Sequence, residues 1–214
     1  LGTWEVRVEN WGDRSTARVN EVSLEFVGDI DDGDDTYIFT DAFADLDGED
    51  RGRIEDTTGQ DTLSLAAVTG DSRIDLGEGS AMIAGRGLTF ASDGSITEVR
   101  AGDGADSLEG GTRDDALHGG RGADNLSGSA GDDILAGGRD NDTLDGGLGE
   151  DIAAFAGTLA DYAVSVVDQT TLSVEAVSET LSDWGTDLVT GIEWLDFGGS
   201  LVSADDWLAP EDTT

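Results

Sequence analysis

From residue 101 the chain divides into six consecutive nonapeptides without a gap: AGDGADSLE, GGTRDDALH, GGRGADNLS, GSAGDDILA, GGRDNDTLD and GGLGEDIAA. No other feature constrains the fold as strongly, because units that repeat in sequence must meet their neighbours in a repeating way. Position six is Asp throughout: Asp106, Asp115, Asp124, Asp133, Asp142 and Asp151. Position eight is Leu in five units (Leu108, Leu117, Leu126, Leu135, Leu144) and Ala153 in the last. Acidic residues are 48 of 214, so six Asp at one fixed spacing are not a product of composition.

The residue types dictate a local structure. Glycine accepts positive φ and lets backbone approach backbone, so the first six residues of a unit suit a tight turn. In such a turn carbonyl oxygens gather beside the Asp carboxylate. The glycines that shape these turns are Gly102, Gly104, Gly111, Gly120, Gly122, Gly131, Gly138, Gly147 and Gly149. Hard oxygen donors without thiolate or imidazole suit Ca²⁺, which takes six to eight oxygens at about 2.3–2.6 Å. The last three residues form a short strand with position eight inward and positions seven and nine outward. A single unit cannot bury its Leu, so units must stack.

Two units make one turn of a parallel β-roll in an all-β chain. Loops 101–106, 119–124 and 137–142 then stack on one edge, and loops 110–115, 128–133 and 146–151 on the other. Calcium between stacked loops is shared by Asp106 with Asp124, Asp124 with Asp142, Asp115 with Asp133, and Asp133 with Asp151. These pairings imply several ions, at least about four, spaced by about 4.8 Å along an edge. Carboxylates so close repel one another without cations, so folding and binding become one event.

The units resemble the glycine-rich GGxGxD-x-apolar-x nonapeptide of RTX proteins. The resemblance implies a secreted, extracellular protein that passes type I secretion machinery unfolded and folds in external calcium. Arg113 and Asp140 depart from the pattern at position four, and Ala101 and Ser129 replace other loop glycines. Sites using loops 110–115 and 137–142 are therefore expected to differ in shape or strength.

Four segments follow. Residues 1–28 alternate through Trp4, Val6, Val8, Val22, Leu24 and Phe26. Their GTW start and the Asn20 to Phe26 strand resemble the end of the P domain of kexin-like subtilisin-family proteases. Residues 29–100 are β-rich; "SRIDLGEGSAMIAG" and "ITEVRAGDGADSLEGG" resemble the stretch ahead of the repeats in serralysin-type C-terminal domains. Asp34, Asp35 and Asp61 in that flank are further candidate calcium ligands, with a solvated acidic turn as the other reading. Residues 101–154 are the roll. Residues 155–214 form a β cap resembling those that close bacterial RTX tracts, with Trp184, Trp194, Phe197 and Trp207 in its core and a frayed APEDTT end.

Composition excludes several functions. A formal net charge of −37, with 11 Arg as the only cationic residues besides one His, repels nucleic acid and anionic membranes. No apolar run approaches a membrane span, and the lack of Cys rules out disulfides and thiolate sites. A single His118 at an outward position excludes a two-histidine zinc site and argues against a serine triad. No Gly-x-Ser-x-Gly elbow occurs. Outward repeat positions form no threonine ladder, which sets aside an ice-binding surface. The start at Leu1, without Met or a signal-peptide pattern, reads as a piece of a longer chain or a processed product. No catalytic site is expected on this chain. The reading is a calcium-binding RTX module serving secretion and stability of an upstream catalytic domain, a subtilisin-like serine endopeptidase. The alternative is a structural or adhesive roll of a cell-surface protein.

Overall fold

The computed structural model describes residues 25–26, 34–43, 52–54, 59–92 and 94–208. The pattern expected over residues 1–28 and the tail 209–214 thus lie outside the described residues, except for 25 and 26.

The alternation of apolar and polar residues becomes nineteen described strands. Before the repeats come β1 (Glu25–Phe26), β2 (Thr36–Thr40), β3 (Gly52–Ile54), β4 (Asp61–Ala67), β5 (Ser72–Asp75), β6 (Ser80–Ile83), β7 (Arg86–Thr89) and β8 (Ile96–Arg100). The repeats hold β9 (Ser107–Glu109), β10 (Ala116–Arg121), β11 (Asn125–Ala130), β12 (Ile134–Arg139), β13 (Thr143–Leu148) and β14 (Ile152–Phe155). After them follow β15 (Tyr162–Val166), β16 (Thr171–Ala176), β17 (Thr186–Thr190), β18 (Trp194–Phe197), β19 (Leu201–Ser203) and a single helical turn, α1 (Asp205–Leu208).

From β8 to β14 successive strands alternate between two sheets. One sheet runs β19-β18-β14-β12-β10-β8-β4-β2; the other contains β5-β9-β11-β13-β17 in its centre. Pairing is parallel and joins residues two units apart, Leu117 to Leu135 and Leu126 to Leu144. This is the parallel β-roll with two nonapeptides per turn. Position eight forms the core: Leu117, Leu126, Leu135, Leu144 and Ala153 are 0% exposed. The core column continues past the repeats, through Val99 and Leu63 on one side and Val189 and Leu195 on the other.

The strands of β10 to β13 are six residues long, twice the expected three. The reason is the inward alternation: positions six, eight and one of the next unit all face the interior, and position one is always glycine from Gly110 onward. Chain reversal is left to positions two and four, where Gly120 and Gly122 have φ of 108° and 109°. Ser129 and Asp140 keep the same left-handed backbone without being glycine, at 74° and 75°.

Beyond the roll, β15, β16 and β17 pair antiparallel, as do β18 and β19. These turns end the parallel stacking. Phe155, Tyr162 and Phe197 cluster with ring centroids 5.2–5.5 Å apart, and the Tyr162 hydroxyl donates to the Ala156 carbonyl at 2.7 Å. Of the aromatic residues expected in this core only Phe197 is fully buried. Trp184 and Trp207 are half-buried. Trp194 is exposed, because it pairs with Ile152 at the outward position next to inward Leu195.

A Leu126→Ala change should cost about 2–5 kcal/mol, since the stacked coils leave the void little room to collapse. Ile134→Ala, at an outward position of the adjacent strand, should cost about 0.5 kcal/mol. Urea unfolding in calcium-containing buffer measures both.

Candidate metal centre

Each turn brings its position-six Asp inward at the start of a strand, where the chain leaves the loop and enters the sheet. All six are buried, none more than 3% exposed. Their Oδ1 atoms form a ladder with the backbone two units earlier. The Asp106 N–H donates to Asp124 at 2.8 Å, Asp124 to Asp142 at 2.9 Å, Asp115 to Asp133 at 2.7 Å, and Asp133 to Asp151 at 2.8 Å. Every pair joined by these bonds is a pair that the repeat spacing placed together.

The second oxygen has no such partner. Oδ2 of Asp106, Asp124, Asp133, Asp142 and Asp151 is buried without a hydrogen bond. Leaving a buried carboxylate oxygen unmatched is costly, and five in regular array need a positive partner. The position-one glycine explains the space around them. A methyl group on Gly128 would collide with Asp133 Oδ2 and with the Gly146 carbonyl of the next coil. On Gly119 it would collide with Asp124 Oδ2 and lie 2.6 Å from the Gly137 carbonyl. Carboxylate and carbonyl oxygens thus face one small space with no donor between them. Among the described residues no three acidic or imidazole side chains converge on a metal-sized point. Backbone carbonyls must therefore complete any coordination shell, which is the donor set of a hard cation such as Ca²⁺. The residues fit the ion.

The two loops that depart from the pattern at position four differ from each other. In loop 110–115, which contains Arg113, the Asp115 Oδ2 accepts the Gly111 N–H at 2.7 Å instead of remaining open. In loop 137–142 the Asp142 Oδ2 stays open, because Asp140 adopts the glycine backbone. Asp34 and Asp35 lie exposed ahead of β2, and Asp34 accepts the Gln60 N–H at 3.0 Å. Asp61 is fully buried at the ladder position of β4 and accepts the Asp35 N–H at 3.0 Å. The sequence pattern misses two residues that continue the ladder past the repeats. Asp187 accepts the Asp142 N–H and Glu193 accepts the Asp151 N–H, both at 2.8 Å. The signal available was the acidic-x-apolar triplet, Asp187-Leu188-Val189 and Glu193-Trp194-Leu195. His118 stands on the outer face, 3.6 Å from Glu98.

Residues 100–135 and 118–153 match the family model of the RTX calcium-binding nonapeptide repeat, four copies in each match. Together the two matches span residues 100–153. The two matches are offset by one full coil of the roll, as the pairing register requires. A comparison with curated proteins found no match. Calcium is thus the cation that the RTX repeat binds, and the segment is a calcium-binding β-roll module. Among the described residues no helix is long and apolar enough to cross a membrane.

Burial pushes the ladder carboxyls up from their ordinary 3.8, against the opposing pull of backbone N–H donors. Asp106, Asp115 and Asp142 rise to about 6, and Asp124 and Asp133 to about 7, with nearby carboxylates adding to the rise. Asp151 rises for the same reasons. A folded-state pKa above the unfolded one makes the metal-free fold strongest below the unfolded value, and that stability is lost as pH rises through about 6–7. In chelator, the far-UV β-signal should therefore grow as pH falls from about 8 to about 5, as protons partly replace the ion. Calcium should abolish this trend, because the ion replaces the protons.

Proposed function

We propose that this chain is a folding switch and stabilising module of a secreted protein, driven by the calcium difference between cell interior and exterior. The observation that carries the reading is the array of buried Oδ2 atoms without donors, repeated at the RTX period. Asp106, Asp115, Asp124, Asp133, Asp142 and Asp151 supply carboxylate oxygen, and the loop glycines, Gly102 to Gly149, supply carbonyls and clearance. Bound calcium supplies the positive charge that neutralises the stacked carboxylates and ties adjacent coils together. Without it, the net charge of −37 opposes compaction and favours an extended chain suited to export through type I secretion machinery. Outside the cell the same residues gather oxygen around the ion and the Leu columns close.

The P-domain-like start at residues 1–28 supports attachment to an upstream subtilisin-like catalytic domain, which the roll would stabilise. A second reading, a spacer or adhesive module of a cell-surface protein, is favoured by the exposed apolar row Ile134 and Trp194 on one outer face.

Extracellular calcium modules bind with dissociation constants of about 10⁻⁴–10⁻³ M. Far-UV circular dichroism should show a coil in chelator and a cooperative gain of β-structure over that calcium range, with magnesium ineffective. Sedimentation in calcium separates the two readings: a monomer fits the stabilising module, and self-association fits the adhesive one. Equal β-content in chelator and calcium would overturn both.

A further inference from the structure

Asp187 and Glu193 stand where a seventh and an eighth nonapeptide would place their Asp. Leu188 and Val189 pair with Thr143 and Leu144 of the fifth unit, so Asp187 occupies position six. Trp194 and Leu195 pair with Ile152 and Ala153 of the sixth unit, so Glu193 does the same on the other sheet. Each accepts the backbone N–H of the Asp below it, as the repeat carboxylates do. Asp187 is 4% exposed.

The facing side of each junction is open. Asp142 and Asp151 are 2% and 0% exposed, and neither Oδ2 has a hydrogen-bond partner. In front of Gly146, Asp151 Oδ2 meets the carbonyl of Gly191. In front of Gly128, one coil earlier, Asp133 Oδ2 meets the carbonyl of Gly146 in the same way. A cap glycine thus replaces a repeat glycine, although Gly191 belongs to no nonapeptide.

We infer that the cap completes two further calcium sites, one from Asp142 with Asp187 and one from Asp151 with Glu193 and the Gly191 carbonyl. The inference rests on the calcium reading of the roll. Its consequence is that the cap is held to the roll by ions as well as by apolar packing, and it seats fully only on a loaded roll. The adjoining loop is already a docking point: Arg139 pairs with Asp183, the Asp140 N–H donates to the Asp183 carbonyl at 3.0 Å, and the Thr186 N–H donates to Asn141 at 2.8 Å.

The test compares the whole chain with Asp187→Asn, Glu193→Gln and Asp205→Asn, an exposed acid on α1 that serves as control. The amide variants keep an oxygen for the ladder hydrogen bond, and Glu193 lies exposed, so its replacement leaves the apolar core untouched. Calcium is counted by equilibrium dialysis, and hydrogen exchange follows peptides of 101–154 and 155–203 separately. Each variant should bind about one calcium fewer than the parent chain. In each, protection of 155–203 should need about tenfold more calcium, while 101–154 responds as in the parent. An unchanged count with coincident protection of both segments overturns the inference but leaves the roll's calcium sites standing. A parent chain that binds no calcium overturns both.

Discussion

Everything in this molecule depends on one arrangement: a carboxylate buried with one oxygen satisfied and the other open. The Oδ1 atoms tie each coil to the backbone of the coil before it, so they align the stack. Five of the six Oδ2 atoms add charge where no protein donor reaches them. Their stacking would be self-defeating in an ordinary core, where buried charges are paired or neutralised. A divalent cation turns the same repulsion into a tie between coils. Acid does part of the same work by adding protons, since burial and then the neighbouring carboxylates raise the pKa values along the ladder.

Much of this was legible in the sequence because the period is strict. The inward Leu at position eight, the Asp pairs, and the two-unit turn follow from spacing alone. The strand lengths did not follow, since Gly-Gly reads as a turn signal. In the roll the first glycine is an inward strand residue whose missing side chain makes room for Asp Oδ2 and a neighbouring carbonyl. Trp194 was misplaced because apolar character alone does not tell inward from outward; its register beside Leu195 does. Asp187 and Glu193 escaped because the cap places them six residues apart, not nine, and keeps a single glycine two residues ahead of each, Gly185 and Gly191, in place of the glycine-rich loop.

The irregular units have a structural meaning. Loop 137–142, where Asp140 replaces glycine, carries the contacts that seat the cap. Loop 110–115, where Arg113 replaces glycine, lies against the upstream flank, with the Arg113 side chain packed closely over Gly94. Both of these loops present side chains to a flank as well as to neighbouring coils, and both lose the position-four glycine there. The sheets continue through both flanks, so the roll shares one core with the strands on either side of it.

The central claim is that cations lie against the open carboxylate oxygens. Crystals grown in calcium and measured for anomalous scattering test it most directly. The account predicts peaks about 2.3–2.6 Å from Oδ2 of Asp124 and Asp133, with the Gly137 and Gly146 carbonyls in the same coordination shells. Water or protein donors at those positions, with no anomalous signal along either edge of the roll, would contradict it.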